Sequence, residues 1–173
     1  MNRDIAFGTF AVLLTAGSAM AQVFAGSTTG DPVWTRPVAG TPPVGLSGVG
    51  TATPYDVLAF TVDITGSYTF QNTAVAAWDN YTFLYQNSFD STLPLANVLT
   101  GNDDNPGIGL SGFASNLTAG TTYFFVTTGF GNSDSGDYSL SISGQGIATI
   151  VPAPGAAALL GLGGLALTRR RRR

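Results

Sequence analysis

The chain has 173 residues with no Cys, no His and no Lys, and every acid in it is Asp. Those absences exclude Ser-His-Asp and Cys-His catalysis, lysine Schiff bases, disulfide staples, and zinc or copper sites built on imidazole or thiolate. The formal charge of −3 hides a division: residues 22–150 hold nine Asp against Arg36 alone, a net −8, which repels phosphate backbones and argues against nucleic acid as a partner.

Residues 1–21 read as a secretory signal peptide. Arg3 supplies the positive start, Ile5 to Leu14 is a short apolar run, and Ala19-Met20-Ala21 gives the small-x-small cleavage pattern, which places the mature N-terminus at Gln22. Residues 22–54 are rich in Gly, Thr and Pro and predict an extended lead-in with one edge strand near Val33 to Arg36.

From Tyr55 the pattern turns to short β runs. Leu58, Phe60, Val62 and Ile64 share one face, Gly66 makes a turn, and Tyr68 and Phe70 alternate with polar residues, so a hairpin is expected over 56–71. Further strands are expected at Tyr81 to Gln86, Leu95 to Leu99 and Gly112 to Asn116. Thr121 to Thr128 is apolar on both faces and should be central. In the last strand Tyr138, Leu140 and Ile142 point one way and Ser139, Ser141 and Ser143 the other. About seven strands with Gly/Asn/Asp turns, and no helical period, predict an all-β domain over 55–150: a single antiparallel β-sandwich of jelly-roll or Greek-key type.

Residues 151–173 form a tripartite tail: Pro152-Ala153-Pro154, an uncharged run from Gly155 to Leu167, then Arg169, Arg170, Arg171, Arg172 and Arg173. The run is short for a membrane-spanning helix, and the arginines favour the cytoplasmic side. The tail resembles the PEP-CTERM sorting signal, with Ala153 where the name-giving motif has Glu. The resemblance implies a short apolar sorting helix, held in the membrane transiently before processing by an exosortase-type enzyme; a plain, permanent C-terminal membrane anchor is the alternative. It implies release to, or attachment at, the cell surface or the extracellular polysaccharide matrix. Partners are then the export machinery, the processing enzyme, and extracellular polysaccharide or matrix proteins.

Over Tyr55 to Gly144 the chain resembles the bacterial pre-peptidase C-terminal domain. The matching residues are Phe60-Thr61-Val62, Gly66-Ser67-Tyr68-Thr69-Phe70, Asp79 to Tyr85, Asn102-Asp103-Asp104, Leu117 to Tyr123, and Gly136-Asp137-Tyr138-Ser139-Leu140. Thr82 stands where that family has an apolar residue. The resemblance implies a non-catalytic β-sandwich accessory or adhesion module, in some members a calcium-binding one.

Three site readings follow from the residues. Asn102, Asp103, Asp104 and Asn105 in one loop, with Asp79, Asp134 and Asp137 in others, supply the oxygen ligands calcium takes; the same residues are also ordinary turn formers. Trp34, Trp78, Tyr81 and Tyr85 could stack on sugar rings, or be core. Asp134-Ser135-Gly136 is the tripeptide of an aspartic hydrolase, present once, so that a dimer would have to supply the second Asp. The reading with most support is an exported, non-catalytic structural or adhesion protein without a certain cofactor. A calcium-dependent carbohydrate-binding module is the alternative, and a dimeric aspartic hydrolase a remote one.

Overall fold

A computed structural model describes residues 20–152. The expectations for Ala19, Ala153, Pro154 and Arg169 to Arg173, and with them the signal peptide core and the sorting helix, lie outside the described residues. Among the described residues every regular element is a strand. In chain order these are β1 (Met20–Ser27), β2 (Val33–Trp34), β3 (Thr53–Val62), β4 (Gly66–Ala74), β5 (Asn80–Gln86), β6 (Val98–Asn102), β7 (Leu110–Leu117), β8 (Tyr123–Gly129), β9 (Asp137–Gly144) and β10 (Ala148–Ile150).

One sheet has the order β1-β9-β4-β7 and the other β10-β3-β8-β5-β6, with β2 on β3, and all pairings are antiparallel. Leaving aside the short β2 and β10, this is an eight-stranded jelly roll, two four-stranded sheets joined by crossings from one to the other. The single antiparallel sandwich expected from the strand periodicity is therefore what the chain forms.

The expected hairpin over 56–71 does not form. β3 and β4 lie in opposite sheets, and Phe60 faces Phe70 across the core at 5.9 Å between ring centroids. Alternation puts Phe60, Val62, Tyr68 and Phe70 on inward faces in either arrangement, so the period of two says nothing about which sheet receives the second strand. The lead-in also holds more structure than expected: β1 pairs with β9 from Met20↔Gly144 to Ser27↔Asp137. The strand expected at Leu95 to Leu99 begins only at Val98.

The core between the sheets is aromatic and aliphatic: Phe60, Tyr68, Phe70, Leu84, Leu117, Tyr123, Phe125, Leu140 and Ile142 are all buried. A second cluster, Trp34, Tyr81, Phe83, Tyr85, Val98 and Val126, lies on the opposite face of β5 and β8. The lead-in and the loop after β5 cover it: Phe89 packs on Trp34, Tyr55 and Tyr85 at ring centroid distances of 5.5, 5.5 and 5.0 Å. Both faces of β8 are thus covered, which is why Thr121 to Thr128 reads apolar on both sides.

A buried polar seam crosses the sandwich. Asn72 Nδ2 donates to Thr127 Oγ1 at 2.9 Å, Asn80 Nδ2 donates to Asn72 O at 3.1 Å, and the Thr82 and Ser111 hydroxyls share a hydrogen bond of 2.7 Å. Thr82 is tolerated at an inward position because Ser111 meets it from the other sheet. On the other side of the molecule Gln22 ties the sheets at their edges. Its Nε2 donates to Ala148 O at 3.1 Å and its Oε1 accepts from Ala148 N at 2.5 Å. The expected first residue of the mature chain is therefore bound to the strand that leads into the C-terminal tail.

Register places one set of loops at a common end. Asn80 pairs with Gly129, Thr82 with Asn102, Thr73 with Leu110 and Ala74 with Tyr138. The β4–β5, β6–β7 and β8–β9 connections therefore emerge together, and they carry Asp79, Asp103, Asp104 and Asp134.

Candidate metal centre and the acidic loop end

Asp79 ends the β4–β5 loop, one residue before β5, while Asp103 and Asp104 follow β6 directly. Because β5 and β6 are neighbours, the three carboxylates converge, with one oxygen from each lying within 4.8 Å of the others. Asp79 Oδ1 and Asp103 Oδ1 are shielded from water and accept no hydrogen bond. A buried carboxylate oxygen without a donor is costly, and a hard cation that takes oxygen ligands meets that need. The donor set therefore fits calcium.

The electrostatics agree. Burial, then the neighbouring Asp104 and Asp79 charges, push the Asp103 carboxyl up to about 6, against a smaller opposing pull from Arg36. Burial, with Asp104 and Asp134, also raises Asp79. Arg36 offsets the cluster only in part, and three of its N–H donors go to main-chain carbonyls. Nε and Nη2 donate to Phe130 O at 3.1 and 2.8 Å, and Nη1 donates to Pro37 O at 3.0 Å. Its guanidinium lies 3.9 Å from the centre of the Tyr81 ring, a cation–π contact. Burial lowers the Arg36 pKa, and Tyr81, Asp103 and Asp79 raise it again.

A consequence for stability follows. The folded pKa of Asp103 lies above its unfolded value, so the folded state binds the proton more tightly. The cost of the ionised carboxylate is present above about pH 6 and relieved as pH falls toward the ordinary aspartate value of 3.8. In metal-free buffer the melting temperature is expected to rise between pH 7 and pH 5, and Asp103→Asn to flatten that rise. A melting temperature that falls over this range in the parent protein would contradict the assignment.

Of the other expected metal ligands, Asp134 and Asp137 are not among the three converging carboxylates, and Asn102 and Asn105 make hydrogen bonds within the β6–β7 loop. Asn102 Oδ1 accepts from Gly112 N at 3.2 Å, and Asn105 Nδ2 donates to Gly112 O at 3.0 Å, so both brace the β6–β7 loop. Asp134 Oδ2 accepts from Gly131 N at 2.8 Å in its own turn. Asp137 is exposed at the start of β9 and is not one of the three converging carboxylates. Turn chemistry accounts for Asp134. For Asp134 it also means that the hydrolase tripeptide sits in a polar turn with one carboxylate oxygen already committed.

The sugar-stacking reading is corrected. Trp34, Trp78, Tyr81 and Tyr85 are 4%, 8%, 2% and 0% exposed, too little for an open platform. Three of the polar tips are also satisfied internally. Trp34 Nε1 donates to Thr128 Oγ1 at 3.1 Å, Trp78 Nε1 to Asp137 O at 3.0 Å, and the Tyr85 hydroxyl to Pro94 O at 2.7 Å. What sequence reasoning missed is the cleft beside the acids, of about 500 Å³, walled by Ala76, Trp78, Ile108 and Leu110 with Asp79 and Asp134. Its residues come from three loops remote in sequence, and only the strand register assembles them.

No family model and no curated protein matches this chain. Among solved structures it is similar to the pre-peptidase C-terminal domain of collagenase from Bacillus anthracis, at 15% identity and TM-score 0.44, covering 71% of this chain and 89% of that one. It is also similar to the K1 cleaved adhesin domain of Lys-gingipain from Porphyromonas gingivalis W83, at 15% identity and TM-score 0.38, covering 79% and 100%. A third is the Yersinia pseudotuberculosis-derived mitogen, at 12% identity and TM-score 0.37, covering 78% and 88%. These likenesses are loose in both identity and superposition, and the assignment of this chain as an antiparallel β-sandwich stands on its own strand order.

Proposed function

We propose that this chain is an exported, non-catalytic, adhesion-type β-sandwich of the cell surface or extracellular polysaccharide matrix, delivered by its C-terminal sorting signal. The observation that carries the reading is the acidic loop end: Asp79, Asp103 and Asp104 converge on a braced scaffold and leave buried oxygens free. Such a site suits holding a cation or a cationic group, and the chain has no His, Cys, Lys or Glu with which to build a usual nucleophile and base. The tail resemblance supplies the destination and the processing enzyme. The experiment is retention of the purified chain on the producing cell's own polysaccharide. Retention is expected, and its absence, together with unaltered matrix retention in a deletion strain complemented by the tail alone, would remove the reading.

The same convergence favours a second reading, in which calcium at Asp79, Asp103 and Asp104 makes that retention calcium-dependent. Asp103→Ala and Asp104→Ala are each expected to weaken calcium binding by roughly tenfold or more, since ligand charge count sets affinity in oxygen-ligand sites. Titration calorimetry with calcium alone reads this directly. Equal affinity in the parent and both variants would dismiss it.

A further inference from the structure

Resting on the matrix-association reading above, we propose that the cleft between the β4–β5, β6–β7 and β8–β9 loops binds an amine-bearing polysaccharide, one whose sugar rings carry free ammonium groups. The cleft, of about 500 Å³, falls within the size range of small-ligand sites. Ala76, Ile108 and Leu110 give it short apolar walls, and Ile108 is 76% exposed, open to the C–H face of a ring. Asp79 and Asp134 stand in the same wall.

Charge complementarity selects the occupant. Residues 22–150 carry nine Asp, and their only cation is Arg36, which is buried and bonded to carbonyls. A surface of this kind repels glycans bearing uronate, sulfate or phosphate and concentrates cationic ones. Asp79 and Asp134 both line the cleft, and an ammonium brings three N–H donors to such carboxylates. Asp103 and Asp104 have carboxylate oxygens within 4.8 Å of one on Asp79 and are not part of the cleft lining, so a polymer carrying several amines meets further acids beside the cleft.

Asp79 belongs to both the cleft and the calcium cluster, so calcium and the amine compete for it. The test uses the full chain in mild detergent and a de-N-acetylated chito-oligosaccharide as probe, with the fully N-acetylated oligosaccharide, an oligogalacturonate and an oligoarginine as comparators. Expected is binding of the de-N-acetylated probe, weakened by calcium, and no binding of the uronate. Asp79→Asn and Asp134→Asn keep the shape of the side chains and, for Asp134, the acceptor for Gly131 N. Each is expected to weaken the probe by roughly tenfold, the size of one charge-assisted hydrogen bond. Equal binding of the N-acetylated oligosaccharide would overturn the role of the amine. Binding indifferent to both variants would overturn the site. Tighter, Asp79-dependent binding of oligoarginine would move the cleft to a basic peptide and overturn the glycan. Retention on native matrix that survives loss of probe binding would sink this inference and leave the matrix reading standing.

Discussion

Arg36→Met is expected to destabilise the domain by about 2–4 kcal/mol, because a buried carbonyl and a half-buried one lose their donors at once. The side chain is 3% exposed, yet it places three hydrogen bonds on Phe130 O and Pro37 O and stacks on Tyr81. Methionine keeps much of the apolar stem, so the loss measured is that of the guanidinium. The arginine also offsets part of the repulsion felt by Asp79 and Asp103; its removal should lift the Asp103 carboxyl further. Urea unfolding checks the first effect, and NMR titration of Asp103 the second. A change below about 0.5 kcal/mol, the range of ordinary surface substitutions, would show that water replaces the guanidinium without penalty.

A second large loss, about 3–5 kcal/mol, is expected for Phe70→Ala. Phe70 is 0% exposed and lies 5.5 Å from Phe125 in a stacked pair, with Phe60 at 5.9 Å and Phe113 at 5.3 Å. It bridges the two sheets at the point where rings from both meet, and the surrounding β-strands cannot close over the space it leaves. Val23→Ala is the matched control. Val23 is 68% exposed, and its loss should fall within about 0.5 kcal/mol. Comparable losses at the two positions would mean that the aromatic layer is not what holds the sheets together.

Much of this architecture was legible in the chain. Leu140 and Ile142 alternating with serines gave β9 its inward face, and the doubly apolar run before Gly129 gave the central strand. The sheet assignment of β4 was not legible, since alternation fixes which face is buried and not which neighbour supplies the ladder. β1 was obscured for another reason. Small, weakly patterned residues next to a cleavage motif carry little β signal, and the strand is held by its pairing with β9. At the site, Asp103 and Asp104 were visible as a cluster and Asp79 as a separate acid. Their convergence depends on β5 lying beside β6, a long-range fact. Trp34, Tyr81 and Tyr85 misled as platforms because composition cannot show the lead-in folding back over them.

The position of Arg36 has a last consequence, for survival among digestive enzymes. Proteases that cut after a basic residue need that side chain free to enter a specificity pocket. In residues 22–150 they find one such residue, locked under Phe130 O and followed by Pro37, whose imide bond those enzymes do not hydrolyse. Even a fully opened domain offers such a protease no bond to cut. Resistance of this kind is written into composition and does not depend on folding stability, the quantity that usually governs proteolysis of transiently opened states. Proteases of this specificity would therefore leave the acidic loop end intact whether the domain is closed or open.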